Sequence, residues 1–187
     1  MSECWSKKYQ PLIMIKFAPH RLADYSLLLL TLFYLIMLGG GNYEQLTITN
    51  LVASAPPKSL AMLQGPYGFN PVKFWVTFRP LTILLFIAAL VFNWKVSATR
   101  KNLLIASFLI DCGVTVATFL YFAPETGVLV SAKYDGAVID SDLFERMQRL
   151  KNLNWLRLAA FYTAGILLLL SLNTSLVSEK KNEVFDS

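Results

Sequence analysis

The chain has 187 residues, of which 55% are hydrophobic and only 16% charged, against about 25% charged in an ordinary soluble domain. Its net charge is +5, but the basic residues are set between apolar runs. That is the pattern of topology signals and anionic headgroups, so membrane lipids are the expected partner and nucleic acid is excluded. Two cysteines and one histidine leave no disulfide framework, no imidazole metal site and no bis-histidine haem, so no metal and no cofactor is expected.

Residues 1–21 form a basic cytoplasmic or interfacial lead-in carrying Lys7, Lys8, Lys16 and Arg21. Met1 to Gln10 is polar and the apolar run that follows is long enough to stay as a helix, so no cleaved signal peptide is expected. The first span covers 22–50. About 20 residues suffice to cross, so this helix should project beyond the hydrocarbon. Near its end lies Leu38-Gly39-Gly40-Gly41-Asn42-Tyr43-Glu44-Gln45. Three glycines weaken a helix in water by about 1 kcal/mol each relative to alanine, but small residues let membrane helices approach closely. Glu44 stands where the uncharged run gives out, and an acid near membrane depth is costly unless paired or facing a cavity.

Residues 53–78 hold Pro56-Pro57, Gly65-Pro66-Tyr67-Gly68 and Asn70-Pro71, which rules out a regular helix. Leu60, Met62, Leu63, Phe69, Phe74 and Trp75 make the segment too apolar for a free linker, so a structured cap over one end is expected. The second span is 77–94, with Pro80 in its first turn, where a missing N–H costs little. A tight basic turn at 95–101 leads to a third span, 102–121, that should stop at Pro124. Residues 124–141 read as a second loop. Leu143, Met147, Leu150 and Leu153 then recur at helical spacing, an amphipathic extension leading into the fourth span, 156–172. Residues 173–187 are a polar tail, expected to be disordered from Ser178 onward. The fold class expected is all-α: an antiparallel bundle of four transmembrane helices spanning 22–172, with a Pro/Gly-rich cap between helices 1 and 2.

Three of the seven residues in 95–101 are basic, while 124–151 holds five acids. The positive-inside rule therefore places both termini in the cytoplasm, and a multi-pass protein of a bacterial inner membrane is expected.

This topology sends Glu44, Trp75, Arg79, Asn154 and Arg157 to the same outer end. Two guanidinium groups and a carboxylate near the dielectric boundary should attract strongly. They form either a structural ion-pair network or a pocket for an anionic or oxygen-rich ligand, with Glu44 as acid or base. Asp111 is a second costly acid, inside the third span. It shares a helix face with Thr115 and Thr118, which should turn inward. A hydrogen bond from Asp111 to a neighbouring helix and a proton relay toward Glu44 are both open.

Glu44 after a glycine-rich helix end, Ala55-Pro56-Pro57-Lys58-Ser59-Leu60, Phe74-Trp75, Tyr121-Phe122-Ala123-Pro124 and Asn154-Trp155-Leu156-Arg157 together resemble the anthrone-oxygenase-like family of small four-helix membrane proteins. The resemblance covers about residues 22–172. It implies addition of oxygen to an anthrone-type aromatic without metal or flavin, with Glu44 and Arg157 catalytic and Trp75, Asn154 and Trp155 near the substrate; Arg79 joins them by position. The other class open to the chain is a non-catalytic accessory subunit that docks with other membrane protein subunits through the long first helix, the cap and the 142–155 extension.

Overall fold

In lipid a backbone must satisfy its polar groups internally, so apolar runs of this length become helices. A computed structural model describes residues 19–132 and 141–185, with side chains at 21–132 and 141–174. Among the described residues all regular structure is helical. α1 (Pro19–Tyr43) passes through a π turn (Glu44–Thr49) into the short α2 (Asn50–Val52). A 3-10 turn (Lys58–Leu63) follows, then α3 (Val72–Asn93). α4 (Ala98–Ala117) continues through a second π turn (Thr118–Phe122) into α5 (Ala123–Ser131), and α6 (Ser141–Phe185) completes the chain.

Four stretches are long and apolar enough to cross a membrane: Arg21–Val52, Val72–Asn93, Ala98–Ser131 and Ser141–Thr174. They close into a ring in which α1 lies between α3 and α6, and α4 lies between α3 and α6. The protein is an all-α, four-helix membrane bundle. At 1.5 Å per residue, the 32- and 34-residue stretches are about 50 Å long, against a hydrocarbon layer of about 30 Å. Only α3, with 22 residues, matches the layer.

The overshoot has its own interior. Leu30, Tyr34, Phe86, Leu104, Phe161 and Leu168 belong to a core running through the bundle. A separate core forms past the start of α3, where Val52, Leu60, Leu129, Leu143, Met147 and Leu150 pack together. The Pro/Gly-rich segment is thereby folded onto one end. Gln64 fastens it by donating Nε2 to the carbonyls of Val130 at 2.7 Å and Ala132 at 2.8 Å.

Several expected boundaries move. α3 begins at Val72, not 77, so Pro80 lies well inside the helix. Residues 124–131, expected to open a loop, are helical. Proline crowds the carbonyl four residues before it and has no N–H to give. Here the widened π turn Thr118–Phe122 lies immediately before Pro124 and lets the helix continue past it. α6 runs to Phe185, through the region expected to be a disordered tail. The basic lead-in at 1–18 and residues 133–140 lie outside the described residues.

Candidate functional site

The site begins with close approach of two helices. A Cβ at Gly40 would sit 2.7 Å from the ring of Phe74, and one at Gly41 would meet Leu158 at 3.4 Å and Trp75 at 3.7 Å. Glycine therefore admits the aromatic first turn of α3 against the end of α1. Phe74 stands edge-on to Trp75 (centroids 5.2 Å) and stacks on Phe78 at 4.7 Å. Held this way, Trp75 donates its indole N–H to Glu44 Oε2 at 2.7 Å.

α6 supplies the other wall. Asn154, Arg157, Leu158 and Phe161 follow at helical spacing and, with Gly41, Glu44, Gln45 and Trp75, line a small pocket of about 10 Å³. That is the space of about one water molecule. Two acceptors at this level, Gln45 Oε1 and Asn154 Oδ1, are buried without a hydrogen-bond partner among the described residues. Gln45 is held by its other end, donating Nε2 to the Lys151 carbonyl at 3.1 Å. Glu44 and Gln45 follow Gly41 at i+3 and i+4 and line one pocket with it; the π turn begins at Glu44.

Arg157 is half-buried. Its guanidinium lies 4.6 Å from the centroid of the Phe122 ring. Among the described residues no carboxylate lies within ion-pair distance of it. On its other side Arg157 borders a second cavity of about 500 Å³ between α4 and α6, lined by apolar groups including Ile110, Val114, Phe122 and Ala160. Arg157 thus stands in the wall between a polar pocket and an apolar one.

Arg79 belongs to a different arrangement, one turn deeper along α3 than Trp75. It pairs with Asp111 (Nη1 to Oδ1, 2.9 Å) and donates Nη2 to the Asp111 carbonyl at 3.1 Å and to the Thr115 hydroxyl. Asp111 is fully buried and the Arg79 side chain is 13% exposed. The ring of Phe161 separates the two levels: Arg79 lies 5.0 Å from its centroid, and Trp75 is stacked with it at 6.3 Å.

No family model, characterised protein or solved structure matches this chain.

Of the residues singled out from the sequence, Glu44, Trp75, Asn154 and Arg157 come together around one pocket. Arg79 is not Glu44's partner but Asp111's. Trp155 is 45% exposed and is not part of the pocket wall. Gln45 and Phe161 are additions to the expected site residues, and Phe122, expected only as part of the Tyr121–Pro124 motif, joins them. Phe161 could have been found, since it follows Asn154 and Arg157 at i+7 and i+4 and so shares their helix face. Gln45 could also have been found, since it follows Gly41 at i+4 as Glu44 does at i+3.

Proposed function

We propose that this membrane protein binds a lipophilic molecule bearing an anionic or oxygen-rich group, with Arg157 as the residue that grips that group. The observation carrying this reading is the guanidinium of Arg157, half-buried, without a carboxylate partner among the described residues, and set between a polar pocket and a 500 Å³ apolar cavity. Glu44 lines the same pocket but lies beyond ion-pair distance, so a partly desolvated cation still gains from a ligand that accepts its paired N–H donors directly. The apolar cavity lies within the roughly 300–1,000 Å³ range of small-molecule sites, whereas the pocket beside Glu44 has room for little more than water.

If the protein is an enzyme, Glu44 is the base and Arg157 stabilises the resulting enolate or phenolate, as in cofactor-independent, anthrone-oxygenase-like chemistry. The bulk of an aromatic substrate then lies on the Phe122 side of Arg157. The basic turn at 95–101 supports a topology with cytoplasmic termini and the site at the non-cytoplasmic face, in a bacterial inner membrane. A second reading, an accessory subunit, is favoured by the cap, where Tyr67 is 99% exposed and Phe69 42%; such aromatic side chains are common anchors between proteins.

The test is to purify the chain in mild detergent and identify co-purifying small molecules by native mass spectrometry. An acidic or phenolic lipophile should accompany the wild type and be lost from Arg157→Gln. Its retention by that variant overturns the reading. Oxygen uptake with an anthrone probe, abolished in Glu44→Gln, would establish the enzyme; a protein that instead co-purifies in fixed ratio establishes the subunit.

A further inference from the structure

The cavity on the Phe122 side of Arg157 is a groove along one side of the bundle. Small residues create it: Gly113 and Ala117 on α4 and Ala160 on α6 stand where larger side chains would fill the space, and nothing lies within 4 Å of where a Cβ of Gly113 would be. Ile110 on α4 and Phe122 at the end of the π turn that follows it mark its extent. They are twelve residues apart, which is about 18 Å of helix. Its rim includes Leu156, 69% exposed, and Tyr121, 38% exposed, so in a membrane the groove opens sideways to acyl chains. Its single charged group is Arg157, on the same side of the groove as Phe122.

We infer that this groove holds one single-chain fatty carboxylate taken directly from the bilayer, its carboxylate on Arg157 and its chain running along α4 toward Ile110. The inference rests on the reading of Arg157 given above and adds the class of ligand and its route. Charge complementarity selects an anion over a neutral lipid, and a guanidinium fork matches a carboxylate through two parallel hydrogen bonds. The size of the head follows from the other side of Arg157. There the space is only about 10 Å³, so the head cannot extend past the guanidinium into the bundle. A terminal carboxylate needs no such room; a phosphoglycerol headgroup would have to turn out through the groove's open side. The groove is long and apolar throughout its depth, which suits an extended alkyl chain.

The experiment uses the full chain in a neutral detergent, with palmitate, hexadecanol and phosphatidylglycerol as probes at equal concentration and native mass spectrometry as the readout. Palmitate is expected to bind one to one and to displace the other two. Arg157→Gln should weaken palmitate binding roughly tenfold or more. Ala117→Phe, which fills the groove without touching the charge, should weaken it comparably, with circular dichroism and size exclusion reporting the fold; if that variant does not fold, Ala160→Leu takes its place. Palmitate binding lost in Arg157→Gln but unchanged on filling the groove leaves the head site standing and overturns the groove. Preference for phosphatidylglycerol or for hexadecanol overturns the carboxylate. Unchanged binding in both variants overturns the groove and the role of Arg157 together.

Discussion

Replacing Asp111 with leucine strands the positive charge of Arg79 inside the bundle. Asp111 is fully buried and the Arg79 side chain only 13% exposed, so water can solvate the orphan only in part. Removing one partner of a buried pair costs about 3–5 kcal/mol, because the cost is the uncompensated charge and not the lost attraction alone. Arg79 also keeps a donor on the Asp111 backbone carbonyl, which survives the substitution and holds the loss toward the lower end. For a chain of this size each kcal/mol moves a thermal midpoint by about 2–4 °C, so Asp111→Leu should lower the midpoint by roughly 10 °C. Arg79→Met should do similar harm by leaving the carboxylate alone. The double variant Arg79→Met/Asp111→Leu carries no orphan charge and should be more stable than either single one. The assay is thermal unfolding of the purified protein in mild detergent, with unfolding in mixed micelles of increasing sodium dodecyl sulfate for the free energies, each followed by far-ultraviolet circular dichroism for all four proteins. If the two single losses add within about 0.5 kcal/mol in the double variant, the residues are not mutually dependent and the reasoning fails.

Three other outcomes follow from the geometry around the site. Gly40→Ala brings a Cβ to 2.7 Å from Phe74, while Gly39→Ala meets nothing within 4 Å; the first should cost about 1–3 kcal/mol and the second gain up to about 1 kcal/mol of helix stability. Equal midpoints for the two would contradict the close approach of α1 and α3. Trp75→Phe keeps an aromatic ring beside Phe161 but deletes the donor to Glu44, for an expected loss of about 1–2 kcal/mol in the same micellar unfolding assay; an unchanged curve means the hydrogen bond contributes nothing. Arg146→Ala removes a forked pair with Glu125 at 2.8 and 2.9 Å, but its side chains are 35% and 20% exposed. The loss should be small and shrink in high salt, and a large, salt-independent loss would mark the pair as part of the second core.

Within this bundle, what the sequence determined alone was the set of lipid-crossing helices, because apolar length leaves the backbone no other way to satisfy itself in hydrocarbon. The same one-dimensional logic made Glu44, Arg79, Asp111 and Arg157 stand out, since each is expensive wherever it lies in such a layer. It also placed Glu44, Trp75, Asn154 and Arg157 at one end, because four crossings fix which helix ends are neighbours. Tertiary structure alone decided who pairs with whom. Arg79 and Asp111 meet because α3 and α4 take a particular rotation and register, and nothing in the spacing along either helix encodes that offset. The π turns at Glu44 and Thr118 were likewise invisible; the second carries a helix past Pro124. The second core beyond α3 needs three helices longer than the membrane and a folded cap at once, a sum over elements that no single stretch displays.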